Sequence, residues 1–170
     1  MEGTDGVSAP LVLLVDEDPF TGQLLRPLLR PHGLEVVQAR ASIAALELLQ
    51  RVAQRFRLAV VSLEMSGLSG VAVLETVRLF RPGLATICLA APSRGAAGAR
   101  EECVTKPAGA DQLRARIAEA LAGAPSSMHA CTLAPEAIRK ARAAFEHSGS
   151  LVDAAREVGL SLSDQSALDT

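Results

Sequence analysis

Apolar residues come along this chain in short, branched runs separated by longer stretches of helical period. Runs that are apolar throughout, rather than alternating with polar residues, predict strands buried on both faces, and therefore a parallel sheet covered by helices on either side. The strands fall at Leu11 to Val15, Glu35 to Gln38, Leu58 to Val61, Thr86 to Leu89 and Cys103 to Thr105. A first helix carries Leu24, Leu25, Leu28 and Leu29, with a kink expected near Gln23, because Pro27 takes a backbone donor out of it. A second starts after Ser42, read as its N-cap, and carries Ile43, Leu46 and Leu49. A third runs from Gly70 to Phe80 with Val73, Leu74 and Val77 inward and stops before Arg81-Pro82-Gly83. Another covers Ala110 to Leu121. Only Ala91 to Arg100 separates the fourth strand from the fifth, and its glycines predict a short or unformed helix there.

Beyond Gly123 the sheet pattern ends. One helix is predicted from Pro135, with Ile138, Ala141 and Phe145 on one face. A second starts at Ser150, with Asp153 completing a capping box, and ends at Val158 before Gly159. The chain thus divides into a flexible tail (1–9), an α/β domain (10–122), a linker (123–132) and a helical tail (133–170).

Composition narrows the picture. The chain has 170 residues, 49% of them hydrophobic and 21% charged, with net charge −2, which suits one soluble domain with an appendage. The amino terminus lacks the basic and apolar regions of a signal peptide, and no apolar run approaches the roughly 18 residues that span a bilayer, so the expected location is cytoplasmic and no membrane partner is expected. Cys88, Cys103 and Cys131 lack zinc-ligand spacing and are read as reduced core or linker thiols. Trp and Tyr are absent, which removes an aromatic platform for stacking bases.

In a doubly wound sheet, ligands bind outside the carboxyl ends of the strands. Asp16, Glu17 and Asp18 come at the end of the first strand, Ser62 follows the third, and Lys106-Pro107 follows the fifth. The stretches LVLLVDEDPF, VVSLEMSGLSG and VTKP resemble the three signatures of the receiver domain of two-component response regulators. The resemblance implies a flavodoxin-like fold with strand order 2-1-3-4-5 and a phosphoacceptor pocket at its carboxyl edge. It matches Asp16 and Glu17 to the family's acidic pair and Lys106 to its lysine. Ser62 stands at the phosphoacceptor aspartate, Ala90 at the hydroxyl residue, Cys103 at the switch aromatic, and Ser66 at a usual proline.

A serine without a neighbouring base lacks the charge and activation to form the family's acyl phosphate. With two carboxylates against one ammonium, Mg2+ is expected to bind weakly at best, with Asp16 and Glu17 its weak candidates, and Lys106 is free to pair with either. No other cofactor or metal is expected. Asp18 before Pro19 reads as a helix N-cap, Glu64 as a loop carboxylate, and Ser62, flanked by acids, as a poor kinase substrate.

The stretch SGSLVDAAREVGLS resembles the first two helices of a Fis-type helix-turn-helix. In that module a third helix enters the major groove and carries basic side chains, whereas SLSDQSALDT has two aspartates and no Arg or Lys. Residues 126–170 hold four basic residues against six acidic ones. Two readings follow. The first is a pseudo-receiver that works by contact with another signalling protein or a second copy of itself, through the face of the fifth strand and last receiver helix or through the tail around Phe145 and Leu151. The second is a DNA-binding regulator with Arg139, Arg142 and Arg156 on phosphates. Neither is an enzyme, and no small-molecule substrate is expected.

Overall fold

The computed structural model describes residues 9–92, 103–123 and 133–168. Its elements follow in the order β1 (Leu11–Val15), α1 (Pro19–Leu29), β2 (Glu35–Ala39), α2 (Ser42–Arg51), β3 (Phe56–Ser62), α3 (Gly70–Phe80), β4 (Ala85–Ala90), β5 (Val104–Thr105), α4 (Ala110–Leu121), α5 (Pro135–Ser148) and α6 (Leu151–Leu168). The five strands form one sheet in the order β2-β1-β3-β4-β5, with every neighbouring pair parallel. This is the flavodoxin-like arrangement expected from the sequence. The expected short helix over residues 91–100, most of the linker, most of the amino-terminal tail, and Cys131 lie outside the described residues.

Both faces of the sheet are buried, which is why its strands read as continuous apolar runs. Val12, Leu14, Leu58, Val60, Ile87, Leu89 and Val104 point to one side, where Leu25 and Leu29 of α1 and Leu113 and Ile117 of α4 cover them. Leu11, Leu13, Val15, Ala59, Val61 and Cys88 point to the other, under Leu46 and Leu49 of α2 and Val73 and Val77 of α3. The helix α1 runs through Pro27 as one element. Gln23 and Pro27 are both exposed, so the carbonyl that loses its intrahelical donor lies on the solvent side.

Local chemistry sets the helix starts. Asp18 caps α1, its Oδ1 accepting from Phe20 N at 2.9 Å, and Ser69 caps α3, its Oγ accepting from Ala72 N at 3.2 Å. At α2 the expectation is corrected: Ala41 occupies the cap without a side-chain bond. Ser42 is the first helical residue, and its hydroxyl donates instead to Leu68 O at 2.7 Å, fastening α2 to the loop after β3.

The tail departs most from the sequence reading. The helix α6 does not stop at Val158 but continues through Gly159 to Leu168, and α5 and α6 pack as a hairpin over α3 and α2. Ser150 does cap α6, its Oγ accepting from Val152 N at 3.2 Å. Asp153 does not close a capping box; it pairs with Arg156 at 3.3 Å. At Gly159, inside the helix, a β-carbon would lie 3.2 Å from Leu68 Cδ1 in the loop before α3 and 3.8 Å from Ala72 Cβ on α3, so a residue of poor helix propensity serves close packing there. Leu151 is 4% exposed, and Phe145 packs on Phe80 with ring centroids 5.0 Å apart. Leu151 is therefore covered, contrary to the expectation that a partner meets it, whereas Phe145 is half-buried. The covering hairpin also explains why α3 is buried almost all round, Glu75 and Arg78 included. No helix among the described residues is long and apolar enough to cross a membrane.

The amide of Gln50, at the end of α2, fastens the tail by both ends: its Nε2 donates to Gly149 O, and its Oε1 accepts from Leu151 N at 2.9 Å. One side chain thereby satisfies the last carbonyl of the turn and a free amide at the start of α6. Gln50→Ala is expected to lower stability by about 1–2 kcal/mol, the range for a lost helix cap. Amide hydrogen exchange at Leu151 and Val152 should accelerate while β1 and β3 keep their protection, and equal acceleration throughout would contradict a local role.

Candidate functional site

The carboxyl ends of β1, β3 and β5 meet, bringing Asp16, Ser62 and Lys106 into one cluster. Lys106 Nζ donates to Asp16 Oδ2 at 2.8 Å and to Ser62 Oγ at 3.0 Å. Asp16 and Ser62 are buried, at 2% and 0% exposure. The remaining donors to Asp16 are local: Asp18 N reaches Oδ1 at 3.0 Å, and Thr21 Oγ1 reaches Oδ2 at 2.8 Å. The buried carboxylate therefore has its charge and both oxygens satisfied within the chain. Lys106 is placed by its own backbone, whose N–H donates to Ala90 O at 2.8 Å just beyond β5. The Lys106–Pro107 peptide is cis.

Glu17 does not join this cluster. Its Oε1 accepts from Ser66 N at 2.6 Å, and Arg40 Nε donates to its backbone carbonyl at 3.2 Å. The Ser66 amide holds its carboxyl below the ordinary value of 4.5. Of the two acids that the sequence allowed as partners for Lys106, only Asp16 fills the role. Glu64 likewise fastens a loop, accepting from Ala91 N at 2.9 Å across the end of β4.

Several contributors are not evident from motifs. Thr21 lies five residues past Asp16, one turn into α1, where its hydroxyl faces back to the strand end. Gln38 of β2 donates to the carbonyls of Asp16 and Asp18 at 2.8 and 2.9 Å, bracing the loop from the side. Gly70 opens α3 against the end of β3: a β-carbon there would stand 1.8 Å from Ser62 O, so only glycine allows this approach. The GLSG stretch carried that signal in its last residue.

A hard divalent cation needs several free oxygen ligands. Here both Asp16 oxygens and Ser62 Oγ already accept hydrogen bonds, an ammonium sits among them, and Glu17 is turned to Ser66. Both oxygens of Asp16 and the Ser62 hydroxyl are thus already engaged by donors of the chain. Lys106, donating to both neighbours, has no lone pair with which to take the hydroxyl proton.

At the two remaining positions, Ala90 is buried and offers only a methyl group. Cys103 is bonded to Cys88 on the neighbouring strand. This corrects the expectation that both are reduced thiols: adjacent parallel strands place their α-carbons 4.7 Å apart, within bridging range. The tail arginines lie outside the cluster on α5 and α6. Arg139 pairs with Glu136 and Arg156 with Asp153, both three residues away on their own helices, and Arg142 is exposed.

The sequence matches the family model of the response regulator receiver domain over residues 12–118. Similar solved structures include a receiver domain protein from Clostridium thermocellum, 22% identical with TM-score 0.54, covering 66% of this chain and 94% of that one. A CheY-like receiver domain protein from Methanospirillum hungatei JF-1 is 23% identical, with TM-score 0.55 and coverages of 68% and 95%. The signal receiver domain of an HD domain-containing protein from Pseudomonas fluorescens Pf-5 is 24% identical, with TM-score 0.57 and coverages of 68% and 96%. No curated protein matches the chain. The family match ends before the α5–α6 hairpin.

Removing the cation would leave Asp16 buried beside neutral donors only. Breaking a buried pair from one side costs about 3–5 kcal/mol; the Lys106 side chain is 27% exposed, so solvent screening lowers the expectation for Lys106→Met to about 2–3 kcal/mol. Adding Asp16→Asn should recover part of that loss. Urea unfolding of the single and double variants measures both, and a single-variant loss under about 0.5 kcal/mol would contradict the pairing.

Proposed function

The chain belongs to the response regulator receiver domain family, and from that premise we propose that it signals by fixed contact with another signalling protein or a second copy of itself, without aspartyl phosphorylation. Membership gives the coarse role, signal transduction in a two-component system. The finer reading is carried by one observation: the Lys106 ammonium, which a phosphoryl group would need, is already held by Asp16 and Ser62.

Three further features support it. Ser62 is wholly buried and has no base, so neither a phosphohistidine nor a Ser/Thr kinase has a productive approach. Ala90 has no hydroxyl to follow a phosphate, and Cys103 offers no aromatic rotamer to report one. A two-state element needs a ligand that distinguishes its states, and this pocket retains no such ligand. On this reading the protein is not an enzyme, requires no cofactor, and takes no small-molecule substrate.

The tail supports the same reading and narrows the surface. With α5 and α6 seated on α2 and α3, the face of β5 and α4 is open to a partner among the described residues, with Thr105, Asp111, Gln112, Arg114 and Ala115 exposed. DNA binding is the weaker reading: α6 is one continuous helix where the module needs a separate recognition helix, and Arg139 and Arg156 are engaged by neighbouring acids. A gel shift at two salt concentrations tests it; a retarded complex that weakens with salt would favour that reading instead.

Incubation with acetyl phosphate and magnesium, followed by intact-protein mass spectrometry, tests the main proposal. No phosphoryl adduct is expected on the native chain. An acid-labile adduct mapping to Asp16, Glu17 or Asp18 would overturn it. Ser62→Asp is expected to gain magnesium affinity without altering the β5–α4 face.

A further inference from the structure

We propose that Cys88 and Cys103 form a reversible dithiol–disulfide pair, a modification site that reacts with low-molecular-weight disulfides and sets how firmly β5, and with it Lys106, is held to the sheet. One residue ahead of the Leu89 and Val104 pair, Cys88 lies on β4 and Cys103 immediately before β5. Their α-carbons are 4.7 Å apart, so the bond needs no backbone movement to form or break. Both are buried, at 3% and 8% exposure, in the apolar cluster on the α2–α3 side of the sheet. Free cysteine behaves there as a small hydrophobe, so the reduced state keeps its packing.

Position makes the pair consequential. β5 is an edge strand of two residues, held to β4 by the Leu89–Val104 and Ala90–Thr105 pairings and by Lys106 N on Ala90 O. So short an element opens readily. That opening also exposes Cys103, the less buried of the two, to a reactant. The bond precedes Ala90 by two residues and Lys106 by three, so it pins β5 next to the residue that holds Asp16 and Ser62.

The chemistry balances in two exchanges. The Cys103 thiolate attacks a low-molecular-weight disulfide of the glutathione type, forming a mixed disulfide and releasing one thiol. The Cys88 thiolate then displaces the second thiol and closes the protein disulfide. The two cysteines lose two electrons and two protons, and the small disulfide becomes two thiols. Excess small thiol reverses both steps.

The test uses the full chain carrying Cys131→Ser, so that the third thiol is silent. Protein reduced with dithiothreitol and protein then treated with oxidised glutathione are alkylated under denaturing conditions, and amide hydrogen exchange is measured on each form. Oxidation is expected to remove two alkylation sites, to yield a linked pair of peptides containing Cys88 and Cys103, and to slow exchange at Val104, Thr105 and Lys106 by about tenfold or more. Dithiothreitol should restore both readouts. Cys88→Ala should carry a mixed disulfide at Cys103 and show no slowing. Persistence of both alkylation sites would overturn the proposal. So would exchange rates that agree within about twofold between the two forms, or the same slowing in Cys88→Ala.

Discussion

One ammonium group decides the arrangement at the carboxyl edge of the sheet. Asp16 is buried, and a buried carboxylate is stable only where a cation and hydrogen-bond donors meet it. Lys106 supplies the cation and, in doing so, draws the ends of β1, β3 and β5 together through Asp16 and Ser62. The other loops at this edge are braced from their own sides. Glu17 holds Ser66, Glu64 holds Ala91, and Gln38 bridges Asp16 and Asp18. Each acid is committed to a donor of the chain, and the edge is closed by its own residues.

The second constraint is the hairpin of α5 and α6. In a three-layered α/β fold α3 would present an outer face to solvent, yet here its outer face is covered, and its sequence is correspondingly poor in exposed polar positions. Gln50 fixes the turn between the tail helices, and Gly159 allows α6 to press on Leu68. Leu68 also receives the Ser42 hydroxyl. The loop between Ser62 and Gly70 is therefore fastened to α2 through Leu68 and to Glu17 through Ser66, with Leu68 against the tail. Motion of this loop would disturb all three, which accords with a surface that keeps one shape.

Much of this was legible in the sequence because it depends on local pattern. Buried parallel strands are continuous apolar runs, and the apolar period of helices at 70–80 and 110–121 marks both their extent and their inner face. Chemistry at strand ends stood out because the acids, Ser62 and Lys106 directly follow such runs. What escaped depends on contacts between distant segments. Gly159 reads as a helix stop until Leu68 is found against it, and Ser42 reads as a cap until the Leu68 carbonyl takes its hydroxyl. Phe145 of α5 and Leu151 of α6 are apolar residues whose neighbours on α3 and α2 periodicity cannot name. Cys88 and Cys103 lie 15 residues apart without a motif, and only the pairing of β4 with β5 makes them neighbours.

The most direct measurement is of amide chemical shifts in the folded chain, titrated with magnesium and beryllium fluoride, a mimic of the phosphoryl group. If Lys106 is committed to Asp16 and Ser62, the resonances of Asp16, Ser62, Ala90 and Lys106 will show no saturable change, and those of α4 will stay in place. Saturable shifts at the pocket that spread through Ala90 into β5 and α4 would contradict the account, since they would reveal a second state that a phosphoryl-like ligand selects.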